Sequence, residues 1–199
     1  MKNHIIISLL FLSVGLSQKE YNIEHLLEQN GVYIKKFSDE IVNGKVFQMF
    51  DDMKVPLGKM KDGKKEGKWF SWYPNGQKRT EGTYKDGKLD GLDIVWYENG
   101  QKEWEITFKD GGFDGLFTWW FENGQTKYKR TYKDSKKDGL RTEWYENGQK
   151  NEERNYKDGD EDGLQTWWYE NGQKKSEVTW KDGKLVNVIG RWNEDGSVK

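Results

Sequence analysis

Chemistry in this chain would have to come from carboxylates, aromatic rings and amines, because it holds only two histidines, His4 and His25, and no cysteine. The usual general bases, thiolate nucleophiles and zinc-thiolate sites are nearly missing, so an enzyme is not expected. Carboxylates are many, but they recur: Glu98, Glu122, Glu146 and Glu170 stand 24 residues apart beside an Asn-Gly step. A catalytic pair is needed once, and a series of this kind reads as structure. Asp158-Gly159-Asp160-Glu161-Asp162-Gly163 resembles the start of a calcium loop. Tyr169 stands at its twelfth position and the sister copies lack the middle Asp. An ordinary turn is therefore expected, and neither metal nor cofactor.

The rings offer binding rather than catalysis. Trp119 and Trp167, with Phe117, Phe121 and Tyr169 beside them, are the candidate partner-binding residues, since exposed rings stack on a partner's apolar edge or on sugars. The slot of the two tryptophans varies between copies, holding Ser71, Val95 and Glu143 elsewhere. Variation inside a constant frame is where a recognition surface would be written. Trp96, Trp120, Trp144, Trp168 and Trp192 instead recur with the period and are expected to staple successive units as core.

What positions these residues is an internal repeat. One turn glycine falls at Gly76, Gly100, Gly124, Gly148, Gly172 and Gly196, a step of 24 residues. A second turn keeps the same beat as Asp62-Gly63, Asp86-Gly87, Asp110-Gly111, Asp134-Ser135, Asp158-Gly159 and Asp182-Gly183. Between them run two strand patterns. Leu140, Thr142 and Trp144 alternate with Arg141, Glu143 and Tyr145 on the outgoing strand, and Trp104, Ile106 and Phe108 with Glu103, Glu105 and Thr107 on a return strand. Asn-Gly favours a type I′ turn. No helical period occurs inside the array, so rings must stack on neighbouring units. The expectation is an all-β, elongated, twisted antiparallel meander of 24-residue β-hairpins over residues 64–199, with an aromatic face and a charged face.

The N-terminal part differs. Lys2, the apolar run Ile5 to Leu12 and the small residues around Ser17 read as a signal peptide over residues 1–17, which implies export to the periplasm, the cell surface or the medium. Residues 18–63 read as a small N-terminal cap merging into a degenerate first repeat. Within it, Ile23, Leu26 and Leu27 fit one face of a short helix from Glu20 to Asn30, Val32 to Lys36 a strand, and Asn43-Gly44 a hairpin turn.

The Trp-Tyr-Glu-Asn-Gly-Gln-Lys cores, followed by Tyr-Lys-Asp-Gly-Lys-x-Asp-Gly-Leu, resemble the bacterial variant of the MORN repeat in five clear copies over about residues 64–196. They are most similar to the YwqK-family antitoxins of toxin-antitoxin systems. The resemblance implies a β-hairpin array used for lipid contact, protein scaffolding or toxin neutralisation. With 33 basic and 34 acidic residues, net charge −1 and the signs interleaved, the chain lacks the clustered positive footprint that nucleic acid or an anionic membrane requires. A protein partner is expected, with a glycan or lipid and a toxin as rival ligands. Nothing in the sequence sets the oligomeric state.

Overall fold

The computed structural model describes residues 18–199; the expected signal peptide lies outside the described residues. The strands are β1 (Glu20–Asn22), β2 (Leu26–Gln29), β3 (Val32–Lys35), β4 (Gly44–Phe50), β5 (Met53–Lys61), β6 (Lys64–Trp72), β7 (Lys78–Lys85), β8 (Lys88–Trp96) and β9 (Lys102–Lys109). They continue as β10 (Gly112–Phe113), β11 (Gly115–Trp120), β12 (Thr126–Lys133), β13 (Lys136–Trp144), β14 (Lys150–Lys157), β15 (Asp160–Glu161), β16 (Gly163–Trp168), β17 (Lys174–Lys181) and β18 (Lys184–Arg191). From β4 onward each strand pairs with its chain neighbours in one antiparallel sheet, with β10 and β15 as short side pieces, and β1 closes the near edge parallel to β4. β2 and β3 form a separate hairpin.

Two turn types alternate, and the type I′ geometry expected at Asn-Gly is found at the other step. Type I′ geometry, with positive φ at both central residues, sits at the Asp-Gly steps, for example Asp110 (φ 51) and Gly111 (φ 88). At the Asn-Gly steps only the glycine is left-handed, as at Gly148 (φ 84). There the Gly148 N–H donates to the Tyr145 carbonyl at 3.0 Å and the Tyr145 N–H to the Gln149 carbonyl at 2.9 Å. This is a wider turn that closes on a left-handed glycine. The Asn147 side chain accepts from the Gln149 N–H at 2.9 Å, which keeps the asparagine on the right-handed side of its own turn.

These wide turns also link repeat to repeat. The hydroxyls of Tyr73, Tyr97, Tyr145 and Tyr169 donate to the carbonyls of Trp96, Trp120, Trp168 and Trp192, each 23 residues on, at 2.7 to 3.0 Å. The amides of Asn75, Asn99, Asn147 and Asn171 do the same to Glu98, Glu122, Glu170 and Glu194. Both ladders skip one rung: Phe121 has no hydroxyl, and Asn123 makes no such bond among the described residues.

The N-terminal segment departs from its expected form. Instead of a helix, Glu20 to Gln29 forms β1, a single 3₁₀ turn (Ile23–His25) and β2, because Asn30 (φ 52) and Gly31 (φ 77) reverse the chain and pair β2 with β3. Asn43-Gly44 is not a hairpin turn. The Asn43 side chain accepts from the Asp62 N–H at 2.6 Å, and a Cβ on Gly44 would sit 2.1 Å from the Lys19 carbonyl oxygen, so glycine is needed for close approach. The hairpin β2–β3 covers the first strands of the sheet, burying Leu26, Val42, Val46, Leu57, Met60 and Trp69 in one cluster.

Candidate interaction face

Strand register decides which side chains share a surface. Trp104 pairs with Val95 and Trp119, Trp119 with Tyr128, Tyr128 with Glu143, Glu143 with Glu152, and Glu152 with Trp167. Alongside runs a second row, in which Gly82 pairs with Asp93, Asp93 with Ile106, Phe117 with Arg130, Arg130 with Arg141, Arg141 with Arg154, and Gln165 with Val178. These rows lie on the face that the β2–β3 hairpin covers further back; we call it the inner face. Every slot on them changes identity from copy to copy, for example Gly82, Ile106, Arg130, Arg154 and Val178.

The outer face holds the constant frame. Leu92, Leu116, Leu140 and Leu164 are 44 to 50% exposed there, whereas Thr118, Thr142 and Thr166 are buried at 2 to 6%, paired across the strands with Glu105, Lys129, Glu153 and Glu177. Lysine and glutamate three residues apart pair along it, at Lys78–Glu81, Lys102–Glu105, Lys150–Glu153 and Lys174–Glu177. The expected split into an aromatic and a charged face is therefore wrong, since rings and charges occupy both sides. The recurring tryptophans Trp96, Trp120, Trp144 and Trp168 point outward, while Trp119 and Trp167 of the same strands and the return-strand rings Trp104 and Phe108 point inward. In a single-layered sheet neither side is forced to be wholly apolar.

The sequence-predicted residues fall into two groups on this frame. Phe117 and Trp119 in β11 lie with ring centroids 6.4 Å apart, and Phe117 meets Trp104 and Tyr128 edge-on at 6.1 and 5.5 Å. The Lys127 ammonium sits 4.6 Å over Trp119 and 5.4 Å over Phe121, which belongs to the turn. Trp167 in β16 is half-buried; its indole N–H donates to Glu152 at 2.9 Å and the Arg154 guanidinium stacks on it at 5.4 Å. Tyr169 is a turn residue whose hydroxyl is held by the Trp192 carbonyl. Four strand steps of ~4.8 Å separate β11 from β16, so the two groups are ~19 Å apart and do not form one pocket.

Between them lies a charged cluster that sequence reading missed. Arg141 pairs with Glu143 at 2.5 Å and with Glu152, and Arg154 pairs with Glu152 at 2.8 Å and Glu161 at 3.0 Å. Arg130 stacks near Tyr128, Tyr132 and Tyr156, its guanidinium 5.0 to 5.7 Å from the rings. Burial pushes the Tyr128 hydroxyl above its ordinary pKa, opposed by the nearby Arg130 and Arg141. Asp93, in the slot of Phe117 and Arg141, is half-buried without a cation, and burial pushes its carboxyl up to about 6. The available signal was the pair of slots carrying Arg130, Arg141 and Arg154 where sister copies hold Ile106, Phe117 and Val178; only register shows that they are neighbours.

No group of three or more His, Cys, Asp or Glu side chains among the described residues is arranged to hold a metal ion. The acidic stretch at 158–163 is engaged otherwise, with Glu161 on Arg154 and Asp162 on Lys181 at 2.7 Å. No described helix is long and apolar enough to cross a membrane. No curated protein matches the chain. Residues 65–86, 113–134, 137–158 and 161–182 each match the family model described as the MORN repeat variant, so four stretches of the array are similar to that repeat.

Proposed function

We propose that this chain is a non-enzymatic scaffold that binds another protein through the inner face of its repeat sheet, and that it works outside the cytoplasm. MORN repeats are generally associated with protein or membrane binding. The observation that favours a protein here is where identity varies: the slots of the two inner rows change from copy to copy, while the outer face keeps Leu, Thr, Trp and Glu in most copies. A frame that only had to fold would vary on both sides. Rings flanked by guanidinium and carboxylate groups suit a protein surface, since aromatics and arginine dominate interface energetics. An anionic bilayer would instead need a positive surface, and carboxylates at Glu143, Glu152 and Glu161 stand in these rows or next to them.

The test is affinity capture from a native envelope extract with the wild-type chain and with a Trp119→Ala, Trp167→Ala double variant, circular dichroism reporting that both are folded. The reading expects a discrete protein that the wild type retains and the double variant loses. Equal capture by both would sink it. If the captured protein is toxic when expressed alone, neutralisation is the use made of the face. If soluble oligosaccharide quenches Trp fluorescence in the wild type only, the ligand is a glycan.

A further inference from the structure

We infer that strand β12 and the rings beside it form a seat for an acidic, apolar segment of the partner, with a partner carboxylate on Arg130. This rests on the reading of the inner face as a protein-binding surface and adds the chemistry of what it takes. β12 is the one return strand of the array with no carboxylate: Thr126–Lys133 carries Lys127, Lys129, Arg130 and Lys133, whereas β7, β9, β14 and β17 each contain at least one Glu. Lys129 stands where the other copies place the glutamate of the outer-face ion pairs, and Thr126 where they place its lysine.

On the inner side the imbalance falls on Arg130. Arg141 and Arg154 each have two carboxylates, while Arg130 has none within 4 Å among the described residues and donates only to the Tyr132 hydroxyl, at 3.1 Å. Its Nε is buried without a hydrogen-bond acceptor. A guanidinium held between rings and lacking an anion is prepared for a bidentate carboxylate. Lys127, also without a carboxylate, flanks a groove of about 260 Å³ whose floor includes Phe117, Trp119 and Tyr128 and whose far edge is the Arg141–Glu143 ion pair. A second groove of about 140 Å³ lies on the other side of Phe117, against Trp104, Ile106 and Phe113. Two ring-floored grooves on either side of Phe117, with Arg130 opposite Phe117 on the next strand, match an extended segment in which apolar and acidic side chains alternate. Nucleic acid fits less well, because it carries a charge on every nucleotide and would run an unbroken phosphate chain past Glu143 and Glu152, within two strands of β12, whereas the proposed segment needs a single carboxylate at Arg130.

The test uses a fluorescein-labelled octapeptide of alternating Glu and Leu, its Gln-Leu counterpart and a twelve-residue oligothymidylate, titrated by fluorescence polarisation into the folded chain. The Glu-Leu peptide is expected to bind, salt-sensitively and well ahead of the Gln-Leu peptide. Arg130→Gln is expected to weaken it about tenfold or more, as loss of a charge-assisted pair does, and Arg130→Lys by less. The exposed cap substitution Lys36→Gln is expected to leave it unchanged. Lys127→Gln, expected to weaken binding a few-fold, serves should Arg130→Gln not fold. No binding of the Glu-Leu peptide, equal binding of both peptides, indifference to Arg130→Gln and Lys127→Gln, or tighter binding of the oligothymidylate would each overturn the inference. If the peptide fails while the double Trp variant still loses its captured protein, the scaffold reading stands and this seat does not.

Discussion

The inner face of the sheet is one surface under two regimes. Beneath the β2–β3 hairpin it is covered, and its residues are apolar and closed off, with Val46 and Met60 at 1% exposure and Trp69 at 5%. Close contact governs there: Gly58 lies under the Trp69 ring, where a Cβ would come within 2.5 Å of it. Burial also lowers the pKa of Lys65, whose ammonium rests between the Trp69 and Tyr84 rings. From β9 onward none of the described residues covers the face, and rings, guanidinium groups and carboxylates stand there among the aliphatics Ile106 and Val178. The covered end is stabilised by a three-dimensional core, whereas the open end is held by strand pairing and by turn-to-turn bonds, each reaching one repeat ahead.

Substitutions at either end test that difference. The largest effect belongs to the core: Met60→Ala is expected to cost about 2–5 kcal/mol, seen as a lower denaturant midpoint, because the cavity cannot collapse. A loss near the value of an exposed substitution would mean that the cap has no core. Next comes Asp93 in β8, where the covered end gives way to the open one. Its folded-state pKa, about 6, lies above the ordinary 3.8, so the folded chain holds the proton more tightly than the unfolded one. Stability should rise as pH falls through 6 and level off below about 3.8, by about 1 kcal/mol once partial solvent exposure is allowed for. Asp93→Asn should remove that dependence in pH-resolved unfolding.

Smaller effects probe the turn ladder. Tyr97→Phe removes one hydroxyl bond and should destabilise the array by about 1 kcal/mol. Phe121→Tyr supplies the missing rung and should stabilise by about 0.5–1 kcal/mol, with slower amide exchange around Trp144. If both changes are silent, strand pairing alone holds the repeats. The smallest effect is expected at Lys150→Ala on the outer face, a few tenths of a kcal/mol at most, since its pair with Glu153 is exposed.

Period, strand content and turn positions were legible because each repeats and each has a local cause in Gly, Asn and Asp. The turn types were not legible, because Asn-Gly and Asp-Gly share a propensity for positive φ and differ only in how the flanking strands close: Tyr145 to Gln149 closes wide, Lys109 to Gly112 tight. The mistaken helix has the same origin, as Ile23, Leu26 and Leu27 suit either period until β3 arrives to pair with β2. Phe117 and Trp119 could be singled out from slot variation alone. Arg130 could not, since its lack of a carboxylate is a property of register: β12 sets it against Phe117 and Arg141, and the register shifts between Arg130 and Tyr132.

The 23-residue reach of the tyrosine and asparagine bonds also limits how such a chain can change in length. An insertion of one or two residues between turns would misplace the donors whose 23-residue reach spans it. Duplication or deletion of a whole 24-residue module would leave each bond with an equivalent acceptor. The ribbon can therefore grow or shrink only in full units, and each added unit would supply four fresh inner-face slots to be filled independently of the rest.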